Sequence, residues 1–211
     1  MTPAAALERG LQELAIGLGA DARERLVQYV ALLAKWNRTY NLTAVRDPLA
    51  MVSHHLLDSL SVLPHLPLPQ SARVADAGSG AGLPGIPLAL ARPQWHLALV
   101  ESNQKKCAFL RQAAIELALD NVEVHEGRVE AWRPATPFAL VISRAFTQLA
   151  EFVGACRHLA AARGLLAAMK GKEPRDELVE LPADVKCKAV IALRTPFLDA
   201  ERHLVLCELR S

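Results

Sequence analysis

An apolar run enters a carboxylate at Asp76, and Gly78, Gly80, Gly82 and Gly85 follow before apolar helical spacing resumes at Ile86; residues 74–87 read VADAGSGAGLPGIP. This is the order of a strand, a glycine-rich turn and a helix. Glycine permits positive φ and lets a ligand approach the main chain without meeting a Cβ. The helix N-terminus behind the turn offers free amide groups and the positive end of the dipole. Such a loop suits a nucleotide-like ligand, and two kinds compete. Gly80, Gly82 and Gly85 satisfy G-x-G-x-x-G, in which a dinucleotide pyrophosphate sits on the helix N-terminus. Against a phosphate, Asp76 places a negative charge at the strand mouth, and Pro84 removes an N–H from the first helical turn. S-adenosylmethionine carries no phosphate and brings an ammonium and a sulfonium, so charge favours a methyl donor over NAD.

The next strand, HLALV at residues 96–100, ends at Glu101. That is about 20 residues beyond the glycine turn, where a βαβ unit places the acid that accepts the ribose hydroxyls. A carboxylate accepts two hydrogen bonds from a vicinal diol. Residues 103 onward (NQKKCAFLRQAAIELAL) read as a helix, and an acid just before a helix also suits its dipole. Glu101 therefore has a ligand role and a structural role open to it.

These residues need a frame. Residues 3–17 and 21–37 read as helices, the second with Asp21 as N-cap and apolar positions Leu26, Val30, Leu33 and Trp36 at helical spacing. Asp47-Pro48 reads as an N-cap with proline at the first helical position, opening a helix to about residue 63. Prolines 64, 67 and 69 then lead to a strand at 73–77. From there the pattern alternates: helix 84–92, strand 96–101, helix 103–118, strand 121–125, a helical turn near 128–132, strand 138–143, helix 147–159, strand 163–169. Alternation of this kind predicts an α/β fold, a mostly parallel, doubly wound sheet with helices on both faces. Residues 187–193 and 203–209 read as strands joined without a helix, hence a C-terminal antiparallel hairpin. The expected organisation is an N-terminal helical extension, 1–70, packed on a catalytic domain, 71–211.

Other features mostly exclude. The hydrophobic share is 52%, yet no apolar run approaches the ~20 residues of a membrane span. The start, MTPAAALERG, lacks the regions of a signal peptide, so a cytoplasmic protein is expected. Cys107, Cys156, Cys187 and Cys207 are scattered without C-x-x-C spacing; a zinc site is not expected, and buried or half-buried thiols are. None lies in an obvious loop, which counts against a cysteine nucleophile. A balance of 24 basic against 22 acidic residues is no footprint of a free nucleic-acid binder, so any such role needs a local patch, drawn from Arg38, Arg46, Lys170, Lys172, Arg175 and Arg202.

Trp36-Asn37, Tyr40-Asn41-Leu42-Thr43, His55-x-x-Asp58-Ser59, the run from Asp76 to Gly85, Arg128-Val129-Glu130, Ser143-Arg144-Ala145 and Lys170-Gly171 occur here in this order. Together they resemble the RsmG family, also called glucose-inhibited division protein B, the bacterial 16S ribosomal RNA guanine-N7 methyltransferases. The resemblance runs from about residue 26 to the C-terminus. Ala77 stands where the family often has a bulkier apolar residue. The resemblance implies a Rossmann-like class I methyltransferase with a seven-stranded sheet. It also implies transfer of a methyl group from S-adenosylmethionine to N7 of a guanosine in the 530 loop of 16S rRNA, around guanosine 527, with a small-subunit ribosomal particle as partner. Donor-binding positions carried over by motif are Gly78, Leu83, Val129, Glu130 and Arg144, with Glu101 beside them; Asp76, Gly80 and Gly82 join them from the loop reading.

Guanine N7 carries a lone pair, so attack on a sulfonium methyl needs no general base, and catalysis rests on positioning and charge. Cationic candidates for holding RNA are Arg128, Arg144, Lys170, Lys172, Arg202 and His203. Arg144 follows the apolar run LVIS at a strand's C-terminal end, where ligands bind in open α/β sheets, and is the expected positioning residue, held by a carboxylate such as Glu130. His55 and Asp58 share a helix face, where a bond internal to the helices competes with a catalytic role. A methyltransferase for another RNA or a small molecule, an NAD-dependent oxidoreductase and a non-catalytic RNA-binding module are the alternatives. The oligomeric state is open, with a monomer favoured.

Overall fold

A computed structural model of the chain describes residues 1–209. Helix α1, Pro3–Glu13, starts behind Thr2, whose hydroxyl accepts the Ala5 amide at 3.2 Å. It ends sooner than expected because Ala15 turns left-handed (φ 54°) and the Ile16 amide closes back on the Leu11 carbonyl at 3.0 Å, a Schellman-type stop. The same closure, Ala118 at φ 46° and the Leu119 amide on Ala114, ends α6, Gln104–Glu116. Helix α2, Ala20–Tyr40, begins one residue before Asp21, so Gly19 is its N-cap and Asp21 sits in the first turn, paired with Arg25 instead of capping.

Asp47 does cap α3, Pro48–Met51, accepting the Leu49 and Ala50 amides at 3.3 and 3.1 Å. The helix then widens into a π-helical stretch, Val52–Leu57, before regular α4, Asp58–Leu60. In that stretch the Asp58 amide reaches the carbonyls of Ser53 and His55 and passes over that of His54. π-Bulges of this kind concentrate at functional sites.

The remaining elements are β1 Arg73–Ala77, α5 Gly85–Ala91, β2 His96–Glu101, β3 Val122–Glu126, β4 Phe138–Ser143, α7 Leu149–Cys156, β5 Ala160–Lys170, α8 Arg175–Val179, β6 Val185–Ala192 and β7 His203–Leu209. Helix α8 was not anticipated from the sequence. The seven strands lie in the order β3-β2-β1-β4-β5-β7-β6. Neighbours from β3 to β5 run parallel, whereas β7 is antiparallel to both β5 and β6. The C-terminal hairpin thus closes the sheet, and β6 forms its edge. Chain order reverses between β1 and β4, the place where open α/β sheets bind ligands beyond the strands' carboxyl ends.

Side chains alternate across the sheet. Val74, Leu97, Leu99, Leu140 and Ile142 face one apolar cluster, shared with Tyr29 and Leu33 of α2, Leu56 and Leu57 of the π stretch, and Phe109 of α6. Ala75, Ala77, Val100 and Val141 face the other, against Phe152 and Val153 of α7. The N-terminal helices therefore share their core with one face of the sheet. The Tyr29 hydroxyl donates to the Ala81 carbonyl at 2.6 Å, tying α2 to the glycine loop. All four cysteines are free; Cys107, Cys156 and Cys207 are buried and Cys187 is half-buried. Burial pushes the Cys156 and Cys207 thiols up to about 12. Among the described residues no helix is long and apolar enough to cross a membrane.

Candidate functional site

The glycine loop is held from below and from the side. Gly78 and Ser79 both donate to the Val100 carbonyl, at 2.9 and 3.0 Å, and the Ser79 hydroxyl donates to the Asp76 carbonyl at 2.8 Å. Gly78 (φ 71°) and Gly80 (φ 59°) are left-handed, a conformation costly to residues with a Cβ. A Cβ on Gly78 would also stand 2.9 Å from that of Ala145.

Asp76 corrects one expectation. Its carboxylate does not stand free at the strand mouth: it is fully enclosed, and Oδ2 accepts the Gly85 amide at 2.9 Å. Burial pushes its pKa up to about 7, partly offset by the Gly85 bond and the charge of Arg144. It braces the loop from beneath and lines no cavity found at this end of the sheet. Gly82 (φ 87°) is small for packing as well, since a Cβ there would collide with Ile86 and Leu110. The Gly80 amide is not free for a ligand either, because it donates to Glu101 Oε2 at 2.9 Å.

Glu101 fills the structural role open to it and also borders a cavity. Its Oε1 accepts the Asn103 amide at 2.8 Å, at the start of α6, where Asn103 is the N-cap. Each carboxylate oxygen still has acceptor capacity, and the side chain lines a cavity of about 160 Å³ with Gly78, Arg128, Val129, Glu130 and Phe146. Gly78 and Ala145 are shared with a second cavity of about 210 Å³, which also meets Thr43, Leu83, Lys106 and Arg144. Arg144 opens in turn onto a third, of about 380 Å³, bounded by His54, His55, Asp58, Lys170 and Arg202. Three neighbouring hollows thus lie at the switch point, the first two both bordered by Gly78 and the last two both bordered by Arg144. A further cavity, about 510 Å³, lies beside Arg25, Ala89, Leu119 and Asp120 and holds none of the sequence candidates.

Arg144 is anchored by a different carboxylate from the one expected. Its Nη1 donates to Asp58 Oδ2 at 2.9 Å and to the His54 carbonyl at 3.1 Å, the one that the Asp58 amide passes over. Glu130 is exposed at the rim of the first cavity. Arg202 Nε donates to the other oxygen, Asp58 Oδ1, at 2.9 Å. His55 does not bond Asp58: its Nε2 pairs with Thr43 Oγ1 at 2.9 Å, and burial pushes its pKa down to about 4. Asn37 fixes the Thr43 loop, accepting the Thr43 amide and donating to the Val45 carbonyl.

The other cations sort differently from the expectation. Lys170 borders the third cavity but is paired with Glu177 of α8 at 2.9 Å and bonded to the Thr147 carbonyl. Arg128 stands at the first cavity, not the third. His203, half-buried opposite Lys170, lines none of the three, and Lys172 is exposed beyond β5. Sequence reasoning missed Thr43, Lys106, Ala145 and Phe146 as lining residues. For Asp58 the signal was present in His55-x-x-Asp58-Ser59, but its partners lie 86 and 144 positions away.

A protein-family model described as rRNA small subunit methyltransferase G matches residues 22–205. The ribosomal RNA small subunit methyltransferase G of Laribacter hongkongensis is 52% identical over 204 residues, covering 97% of this chain and 97% of that protein. Its namesake from Nitrosospira multiformis is 51% identical over 213 residues, covering 98% and 97%. Among solved structures, the O-methyltransferase TomG from Streptomyces achromogenes, in complex with SAM, superposes with a TM-score of 0.57 at 19% identity, over 87% of this chain and 90% of that one; that likeness is one of fold. With a match running from α2 into β7 and half of all residues shared with such relatives, the chain belongs to the rRNA small subunit methyltransferase G family.

Proposed function

We propose that this protein transfers a methyl group from S-adenosylmethionine to N7 of a guanosine in the 530 loop of 16S rRNA, acting on a small-subunit ribosomal particle in the cytoplasm. The observation that carries the reading is the set of three neighbouring cavities, sharing Gly78 and Arg144 as walls, at the switch point of the sheet. One end suits a nucleoside: Glu101 offers acceptor lone pairs to ribose hydroxyls, Val129 gives an apolar wall, and Gly78 leaves room that a Cβ would fill. The other end is cationic and suits a base with acceptors along one edge. Residues 1–70 are proposed as the extension that completes this acceptor end, through Val45, His54 and Asp58.

When bound, the donor supplies an electrophilic methyl on a sulfonium. The chain's own part is positioning. Glu101 ties the glycine loop to the start of α6, so the ribose acceptor and the loop move as one unit. Arg144 stands between donor and acceptor hollows, and its Nε and Nη2 hydrogens can meet O6 of guanine, the acceptor beside N7 that arginine reads. No proton needs to be removed from N7, which fits a site whose one buried histidine is held neutral and bonded to Thr43. The test is incorporation of labelled methyl groups from S-adenosylmethionine into small-subunit particles from cells lacking the gene, with the product mapped by cleavage at 7-methylguanosine. Incorporation in the 530 loop supports the reading; none, or label elsewhere, overturns it.

A further inference from the structure

Two arginines from distant parts of the chain converge on one enclosed carboxylate. Arg144 follows β4 and Arg202 precedes β7, yet they take the two oxygens of Asp58, each at 2.9 Å. The Asp58 side chain is 2% exposed, the two arginines 25% each. Arg144 spends Nη1 on Asp58 and the His54 carbonyl; Arg202 spends Nε on Asp58 and Nη1 on the Glu201 carbonyl. Nη2 of both, and Nε of Arg144, have no partner among the described residues. Both side chains line the 380 Å³ cavity.

We infer that Asp58 is a positioning residue for the methyl acceptor, a single fulcrum that holds Arg144 and Arg202 as two arms around the target base. The inference rests on reading this cavity as the acceptor side. The π-helical stretch is what delivers the fulcrum: it carries Asp58 and the His54 carbonyl to the same guanidinium. A carboxylate is the one side chain that fits here, because both partners only donate. Its charge matters as well. The three groups together carry one net positive charge, and guanine gains positive charge as N7 is alkylated; losing the carboxylate would leave two positive charges facing a base that is becoming cationic.

Asp58→Asn keeps the shape but turns one oxygen into an amide donor, so one arginine must lose its partner. The experiment measures single-turnover methylation of small-subunit particles with saturating donor, donor affinity by calorimetry, and thermal unfolding. The expected result is a rate lowered about tenfold or more, with donor affinity within about twofold of the parent's. Because Asp58 lines neither donor-side cavity, a merely structural role would instead move donor binding and rate together. A folded Asp58→Asn with a rate near the parent's, or with rate and donor affinity lost in parallel, overturns the inference. If that variant fails to fold, Arg202→Gln, which keeps a donor toward Asp58 Oδ1 but withdraws the second arm, should show the same split; a parental rate there overturns the two-armed clamp. A parent protein that leaves the particle unmethylated overturns the functional reading, and the inference with it.

Discussion

The enclosed carboxyl group of Asp76 accepts the Gly85 amide through Oδ2 at 2.9 Å, while its Oδ1 has no hydrogen-bond partner. A buried group so sparsely solvated favours its neutral form, and its pKa stands at about 7 against an ordinary 3.8. Between those values the folded chain holds a proton that the unfolded chain releases, so this group's contribution to stability is fullest below about pH 4 and is lost as pH rises to 7. Asp76→Asn mimics the protonated form and removes the titration. The stability of the parent relative to the variant should therefore fall by about 1–3 kcal/mol between about pH 5 and 8. Denaturant unfolding of both proteins across that range checks it; a difference that stays flat with pH sinks the assignment.

Glu101 joins the loop and α6 through two different oxygens, Oε2 to the Gly80 amide and Oε1 to the Asn103 amide. Glu101→Gln converts one acceptor into a donor facing an amide N–H, so one of those bonds is lost. The site also loses the charge that strengthens a bond from a ribose hydroxyl. Donor affinity should drop by roughly tenfold or more, on the order of 1–3 kcal/mol. Calorimetric titration with S-adenosylmethionine reads this directly, and parental affinity would remove Glu101 from the donor site.

Most of the frame was legible because it is written in local pattern. Strands 73–77, 96–101, 138–143 and 203–209 fall where apolar runs and turn residues put them, matching the observed bounds. Helix ends were read less well: α1 and α6 stop at Ala15 and Ala118, which adopt positive φ without being glycine, and no residue type announces that. The glycine-loop end of the candidate site was legible in outline, since a glycine loop and an acid at the next strand's end are near neighbours in sequence. Which atoms face the ligand was not. Asp76, Gly82 and the Gly80 amide all turn inward, and their roles depend on Gly85, Ile86, Leu110 and Glu101. The Arg144 end of the candidate site depends on pairings between α4, the end of β4 and the start of β7, a long-range geometry that spacing does not encode.

Gly78 has two independent reasons to lack a side chain: φ of 71°, and Ala145 standing where a Cβ would point. It also borders both of the first two cavities. Gly78→Val should therefore weaken donor binding by about tenfold or more, from backbone strain and from blocked space. The two causes separate with Ala145→Gly, which relieves the clash but not the strain. Some affinity should return in the double variant, but less than the parent's. Full recovery would show that φ at this position is unimportant.

Arg144 is held by Asp58 and the His54 carbonyl on its Nη1 side, and this fixes which of its donors can face the substrate. Nη1 is committed to the protein, so Nε and Nη2 form the edge turned outward, where they can donate to O6 of guanine and leave the N7 lone pair free for the methyl group. A sulfonium is cationic, so this guanidinium belongs beside the acceptor base and not against the methyl group. Arg144→Ala should leave donor affinity close to the parent's and lower methyl transfer by at least about 10²-fold, the scale seen when reacting groups lose their alignment by an ångström. Arg144→Lys keeps the charge but cannot serve Asp58, the His54 carbonyl and a base edge together from one ammonium, so it should recover little of the rate. Single-turnover methylation of small-subunit particles compares the three proteins. A lysine variant with nearly full activity would mean that charge alone is needed here; an alanine variant with nearly full activity would mean that Arg144 only ties β4 to the helix bearing Asp58.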